Sequence, residues 1–217
     1  MVVRIAVLGG SGMIGSAIVT EAHDRGHDVT AISRSISADP RERVTVRQAD
    51  VSDRSVTSAI IAEHEAIVSA TVPDRSEGGD HAPYLNTLAH LLADLGNRQL
   101  LVVGGFGSLL QPNGEEQRNR PGGSVSKYRR EAATVAEGLS YIRDHGNGAR
   151  WTYLCPPFMI QPIRRTGRYA IGDDYPVGTE ISTQDFAVAV LDELERPTHI
   201  GRRFTVAAVE ADQSISA

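Results

Sequence analysis

Glycine recurs at positions 9, 10, 12 and 15, directly after the apolar run Arg4-Ile5-Ala6-Val7-Leu8 and directly before a stretch of helical period. Glycines spaced in this way let a main chain bind what side chains would obstruct. One allows a tight turn, another lets the backbone approach a diphosphate, and Gly15 lets the following helix pack close to the strand. The unpaired N–H groups at the helix start, around Ser11, Gly12, Met13 and Ile14, would then face the anion. Two registers are readable, Gly9-x-x-Gly12-x-x-Gly15 and Gly10-x-Gly12-x-x-Gly15. A glycine triplet alone is weak evidence. Its place after a strand, opening a helix, inside a βαβ unit of about 30 residues is what identifies a dinucleotide loop.

The second apolar run ends Ala31-Ile32-Ser33-Arg34-Ser35. A site for a cofactor with a free ribose 2′-hydroxyl usually places Asp or Glu about 20 residues beyond the glycines. No carboxylate occurs between Thr30 and Ala38. Arg34 instead offers a fork of donors suited to a 2′-phosphate, with Ser33 and Ser35 as small polar neighbours. The missing acid and the present base both point to NADP(H).

A reducing site that protonates a carbonyl needs an acid. The usual device is Tyr-x-x-x-Lys, one helical turn long, in which the lysine lowers the tyrosine pKa. Lys127 is the only lysine, and position 123 is Gly123. Tyr141 has His145 four residues on, and Lys127 and Tyr128, being adjacent, would not face each other on a helix. The dyad is absent. Tyr128, His81 and Tyr84 are left as groups that could donate a proton or stack on an acceptor. The lone Cys155, before Pro156 at a strand end, reads as a buried small hydrophobe. The seven histidines form no Cys/His cluster, so no metal site is expected.

These residues need a scaffold, and the chain alternates short apolar runs with segments of helical period. Strands are predicted at 4–8, 28–32, 44–48, 66–69, 99–103, 151–155 and 203–207. Several are apolar almost throughout, as in a sheet covered by helices on both faces. Leu85, Leu88, Leu91, Leu92 and Leu95 share one helical face, as do Ala132, Val135, Ala136, Leu139 and Ile142. Met13, Ile14, Ala17, Ile18 and Ala22 do the same after the glycines. Phe186, Val190, Leu191 and Leu194 form a further stripe, preceded by Ser182 and Asp185 at capping-box spacing. The expectation is α/β: a Rossmann-type doubly wound parallel sheet in one domain over residues 1–210, with a small C-terminal substrate-side region and a polar tail at 211–217. Two loops, about 107–126 and 156–178, follow strand ends, where open α/β sheets hold their ligands.

Composition narrows the function classes. A length of 217 residues fits one α/β domain, and the net charge of -5 leaves no electrostatic footprint for nucleic acid or an anionic membrane. No apolar stretch approaches the ~20 residues of a membrane span. One cysteine excludes an intrachain disulfide, and no secretory leader pattern is present at the N-terminus, so a cytoplasmic location is expected. The expected partner is a small-molecule substrate, with the chain a monomer or homodimer.

Taken together, the sequence resembles the atypical short-chain dehydrogenase/reductases, in particular the NAD(P)H-binding NADH-flavin reductase group, with NmrA-like and biliverdin reductase B-like relatives. The resemblance rests on Val7-Leu8-Gly9-Gly10-Ser11-Gly12-Met13-Ile14-Gly15, Ala49-Asp50-Val51 and Leu101-Val102-Val103-Gly104-Gly105-Phe106-Gly107-Ser108-Leu109. It continues through Tyr128-Arg129-Arg130-Glu131-Ala132, Trp151-Thr152-Tyr153-Leu154-Cys155-Pro156-Pro157, Arg165-Thr166-Gly167-Arg168-Tyr169 and Ile181-Ser182-Thr183-Gln184-Asp185-Phe186-Ala187. It implies that Asp50 and Val51 contact the adenine end, and that Ala70 and Thr71 line the ribose and diphosphate. It places Gly104, Gly105 and Phe106 near the nicotinamide and closes Pro156, Pro157 and Phe158 over it. Asp50 also reads as a turn cap, and the paired glycines as a tight strand exit. Without a tyrosine–lysine dyad, the compatible chemistry is hydride transfer from NADPH to a flavin or another flat conjugated acceptor. Phe106, Tyr84, Tyr128 and Phe158 would lie on the acceptor side. The same fold also allows a non-enzymatic NADP(H) sensor of the NmrA-like kind, or an isomerase or dehydratase without net redox.

Overall fold

The computed structural model describes residues 2–120 and 128–209. Lys127, the end of the expected 107–126 loop and the expected tail lie outside them.

Strand β1 (Arg4–Leu8) pairs in parallel with β2 (Asp28–Ser33) on one side and β4 (Ala66–Ser69) on the other. β3 (Val44–Gln48) extends the sheet beyond β2. Beyond β4 follow β5 (Gln99–Val103), β6 (Arg150–Cys155) and β10 (Arg202–Ala208), all parallel, with β8 (Tyr169–Gly172) antiparallel at the edge. The order is β3-β2-β1-β4-β5-β6-β10-β8. The chain builds outward from β1 in one direction and then restarts on its other side with β4. That reversal opens a crevice at the carboxyl ends of β1 and β4.

Period-2 alternation sends Ile5 and Val7 to one face of the sheet and Ala6 and Leu8 to the other. Helices α1 (Met13–Asp24) and α5 (Thr183–Glu195) cover the first face, packing Ile18, Val19, Phe186 and Leu191 onto Val7, Leu101 and Phe204. Helices α2 (Arg54–Glu63), α3 (Ala82–Asp94) and α4 (Arg129–His145) cover the second with Ile60, Leu88, Leu91, Val135 and Leu139. Each of these fully buried Leu or Ile side chains contributes roughly 1.5–3 kcal/mol. The apolar stripes expected for α3, α4 and α5 all face the core. In α1, however, Met13 leaves the expected stripe and is half exposed. None of the helices among the described residues is long and apolar enough to cross a membrane.

All seven expected strands form, within one residue at either end. Three more do not follow from pattern. β7 (Met159–Gln161) and β9 (Glu180–Ser182) pair in parallel as a separate two-stranded sheet, and β8 lies inside what was expected to be a loop at 156–178. The segment between β7 and β8 is a strap bound to the helices of the first face. Arg165 donates twice to the buried Glu21 of α1, at 3.0 and 2.9 Å. Asp185 accepts from the N–H groups of Thr166 and Gly167 at 2.8 and 2.7 Å and from the Thr166 hydroxyl at 2.9 Å. The Tyr169 hydroxyl donates to Asp192 at 2.6 Å. The Arg-Thr-Gly-x-Tyr segment is therefore a docking motif. The capping box is half formed, because Ser182 accepts from the Asp185 N–H while the Asp185 carboxylate turns to the strap. Asp185→Ala would take away the buried carboxylate that accepts three hydrogen bonds from the strap. The expected result is a loss of about 2–4 kcal/mol of stability, read as a lower denaturant midpoint. An unchanged midpoint would show that the strap does not depend on this carboxylate.

Candidate functional site

The glycine loop resolves its own register. Gly9 has φ 82°, and a Cβ there would lie 2.5 Å from the Ala70 carbonyl oxygen, so Gly9 makes the turn. The N–H groups of Gly9 and Gly10 both donate to the Ile32 carbonyl, at 2.8 and 3.1 Å, which ties the turn to β2. A Cβ on Gly15 would lie 2.1 Å from the Gly9 oxygen, so this glycine lets α1 rest directly on the turn. Gly12 differs. Its φ is -74°, and an added Cβ would meet only the Gly9 oxygen, at 3.2 Å. No protein contact requires glycine at 12, so the space beside it is left for a ligand. Ser11 N–H donates to the Ser33 hydroxyl at 3.1 Å, linking the loop to the end of β2. The Ile14 side chain packs into the core, so its contribution to the loop is the main chain at the start of α1.

A cleft of about 460 Å³ opens from this loop across the carboxyl ends of β2, β3 and β4. It brings together Gly9, Ser11, Gly12, Ser33, Arg34, Asp50, Val51, Ala70 and Thr71, the adenosine-half residues expected from sequence. Sequence reasoning missed its far wall, Val72-Pro73-Asp74 with Asp80, Pro83 and Thr87. The available signal was position, because 72–74 directly follow Thr71 at the end of β4. Arg34 makes no hydrogen bond or ion pair among the described residues, so its donors are uncommitted. Asp50 accepts from both the N–H and the hydroxyl of Ser52, at 2.9 and 2.8 Å. Those donors, with a smaller pull from Arg34, hold its carboxyl below the ordinary value. Asp74 is lowered in the same way, by Ser76 first and Arg34 after it. Arg34 thus shares the cleft lining with two carboxylates, Asp50 and Asp74, and is within electrostatic reach of both. Asp50 is both a turn cap and a lining residue.

The residues expected around the nicotinamide lie on the neighbouring strands, outside the lining of this cleft. Gly104 and Gly105 follow β5, and Pro156 and Pro157, both buried, follow β6. A Cβ on Gly104 would fall 2.1 Å from the Tyr153 ring, so this glycine accommodates a buried aromatic and has a structural reason of its own. Phe106 opens a short 3-10 turn (Phe106–Ser108) and meets the exposed Phe158 edge to face, with centroids 5.5 Å apart and planes at 78°. The turn is fixed from below. Buried Arg203 bridges the Ser108 carbonyl and Asp174, and the Ser108 hydroxyl donates to the Gly105 carbonyl at 2.8 Å.

Two expected roles need correction. His81 is buried, with Nδ1 at 2.6 Å from the Thr134 hydroxyl and Nε2 at 2.9 Å from the Asp74 carbonyl. Both ring nitrogens are committed to holding the 71–81 segment, so His81 is not poised as an acid toward an acceptor. Tyr84 borders the cleft, but its hydroxyl is buried between the position of Gly138 and the buried Tyr153 side chain. Burial pushes its pKa up, so it neither donates readily nor offers an open face for stacking. It packs the interface of α3 and α4. Cys155 is fully buried and its thiol is pushed up to about 11 by desolvation, so it is no nucleophile at neutral pH. Tyr128, at the start of α4, is 42% exposed, and the Arg75 guanidinium lies 5.9 Å from its ring centroid. No group of three or more metal-ligating side chains occurs among the described residues.

The cleft therefore fits the adenosine and diphosphate half of a dinucleotide: a turn, a helix start with room at Gly12, and an uncommitted guanidinium at the end of the second strand. Comparison with known proteins agrees. Residues 9–197 match the family model described as NAD(P)H-binding. The Bacillus subtilis protein YwnB is 34% identical over 210 residues, covering 94% of this chain and 97% of that protein. A solved Bacteroides thetaiotaomicron structure, provisionally named an epimerase, aligns with a TM-score of 0.85 at 30% identity over 97% of this chain and 99% of the other. A Streptococcus pneumoniae structure, provisionally named an NADH-flavin reductase, aligns at 0.81 with 27% identity over 95% and 100%.

Proposed function

The chain belongs to the NAD(P)H-binding family, and from that premise we propose that it is an NADPH-dependent reductase of a flavin or a similarly flat conjugated acceptor. The observation that carries the reading is the edge-to-face pair of Phe106 and Phe158 beside Gly104 and Gly105, with no committed acid beside it among the described residues. When bound, the nicotinamide supplies a hydride from C4, which forms the N–H bond at flavin N5 while solvent supplies the remaining proton. The protein's share is then proximity and orientation. The glycine loop and α1 start hold the diphosphate, and the uncommitted Arg34 fork takes the 2′-phosphate. Phe106 and Phe158 offer one wall for a flat ring, and Tyr128 another. His81, Tyr84 and Cys155 are withdrawn from proton transfer by their partners or their burial.

Stopped-flow NADPH oxidation with FMN or riboflavin tests this. The parent protein is expected to oxidise NADPH with at least one flavin. Tyr128→Phe is expected to lower the rate only a few-fold, because losing a general acid would typically cost about 10²–10⁴-fold. A hundredfold fall with cofactor binding intact would make Tyr128 an essential acid and the acceptor a carbonyl compound. Absence of oxidation with every flavin would overturn the reductase reading.

A further inference from the structure

The cofactor wall after β4 is not a free loop. Asp74 folds it onto itself, accepting from Ser76 N–H at 2.9 Å through its side chain and from His81 Nε2 at 2.9 Å through its carbonyl. Two clamps then fix it to α4. Arg75 donates from Nε and Nη2 to the two carboxylate oxygens of Glu131, both at 2.7 Å, and His81 meets Thr134 at 2.6 Å. Residues 131 and 134 are three apart and share one face of the helix. The same helix start carries Tyr128, whose ring lies under Arg75, and Ala132, which packs against Gly107 in the turn that presents Phe106. Val72, Pro73 and Asp74 line the cofactor cleft, while Phe106 and Tyr128 border the acceptor space assigned above. Arg75, next in the chain to Asp74, is the link that reaches the first turn of α4 and the Tyr128 ring, and His81 with Thr134 is a second link one turn further on.

We propose that Arg75, paired with Glu131, is a positioning residue that makes the cofactor wall and the acceptor wall respond as one unit. Contact of the bound cofactor with residues 72–74 is carried through the bidentate pair to the first turns of α4. There it sets the Tyr128 ring and the packing behind Phe106. Coupling of this kind travels through contiguous packed and hydrogen-bonded elements. A planar fork on a carboxylate fixes direction as well as distance, which a lysine in the same place would not do. Arg75 is 56% exposed, although Glu131 is only 16% exposed, so solvent screens the pair and removing the arginine opens the carboxylate to water. Arg75→Ala is therefore expected to fold, which keeps the proposal open to a clean test. The acceptor side of this inference rests on the reductase reading, whereas the coupling itself does not.

The experiment is amide hydrogen exchange with and without NADPH, on parent and Arg75→Ala proteins, alongside NADPH titration and FMN turnover. In the parent, NADPH is expected to slow exchange across 128–138 about fivefold or more. In Arg75→Ala that slowing is lost while the slowing at 9–15 remains, with the NADPH Kd within about threefold of the parent. With FMN, the acceptor KM is expected to rise about tenfold with little change in kcat. Glu131→Gln should do the same, and the double variant no more, since both remove one interaction. Slowing at 128–138 that persists in Arg75→Ala, or that is absent from the parent, overturns the coupling. A loss of that slowing together with no flavin turnover by the parent keeps the coupling and overturns the reductase reading instead.

Discussion

Gly12→Val is expected to abolish NADPH binding, weakening it about a hundredfold or more, in a protein that remains folded. The local geometry separates these two effects. At φ -74° and ψ 165° the backbone at 12 is extended, a conformation that β-branched residues adopt readily. The added Cβ meets only the Gly9 oxygen at 3.2 Å, which needs a shift of a few tenths of an ångström. The two γ-methyl groups then point into the space beside the free N–H groups of α1, where a diphosphate must sit. The neighbouring glycines give the contrast. A Cβ on Gly15 would lie 2.1 Å from the Gly9 oxygen, and one on Gly10 would lie 2.9 Å from the Ala31 Cβ. Substitution at either should destabilise the fold itself, by roughly 1–3 kcal/mol or more from overpacking. Isothermal titration and thermal unfolding, run on Gly12→Val and Gly15→Val together, separate loss of binding from loss of structure. A folded Gly12→Val protein that binds NADPH as the parent does would show that the loop does not cradle the cofactor.

The contrast between Gly12 and Gly15 also shows how far sequence reasoning reached. Spacing alone identifies a phosphate loop, because each glycine in it answers a local steric need. It leaves two registers open, because the atom that excludes a Cβ at 9 belongs to Ala70, sixty-one residues away. The seven main strands were legible for a similar reason, since burial on both faces leaves a continuous apolar run. β7, β8 and β9 were not. They are three or four residues long, with β7 and β8 largely exposed or half-buried, and they are held in place by pairing and by the strap rather than by their own apolar pattern.

The site divides along the same line. Residues at strand ends, such as Ser33, Arg34, Asp50, Ala70 and Thr71, are placed by the sheet, which brings them to one cleft. Side chains whose meaning depends on a distant partner were not. His81 reads as a free imidazole until Thr134 is placed against it, and Tyr84 reads as a donor until α4 closes over its hydroxyl. The Arg-Thr-Gly-x-Tyr segment stood out as a motif, but its carboxylate partners lie on two other helices, Glu21 144 residues away and Asp185 and Asp192 19 and 23 residues away. Charge pairing is a tertiary property, and a single sequence carries little record of it.

Arg34→Asp is expected to reverse the cofactor preference. In the parent, the uncommitted guanidinium at the end of β2 can give the 2′-phosphate two charge-assisted hydrogen bonds, each contributing about 1.5–3 kcal/mol. Losing them should weaken NADPH about a hundredfold. The surroundings enlarge the effect. Asp50 and Asp74 line the same cleft, their carboxyls held below the ordinary value by Ser52 and Ser76, so the substitution leaves three carboxylates in a cleft that must take a phosphate carrying nearly two charges. NADH meets the opposite situation, because a carboxylate at 34 can accept from its ribose 2′-hydroxyl. NADH affinity should hold or improve while NADPH affinity collapses. Arg34→Ala removes the donors without adding a charge and should fall between parent and Arg34→Asp for NADPH. Raising the ionic strength should weaken NADPH binding to the parent more than NADH binding, since the phosphate contact is partly exposed and screened by salt. Titration of both cofactors into the three proteins, at low and high salt, reads all of these differences. Equal affinity of the parent for NADPH and NADH would remove Arg34 from the site and with it the assignment of NADPH.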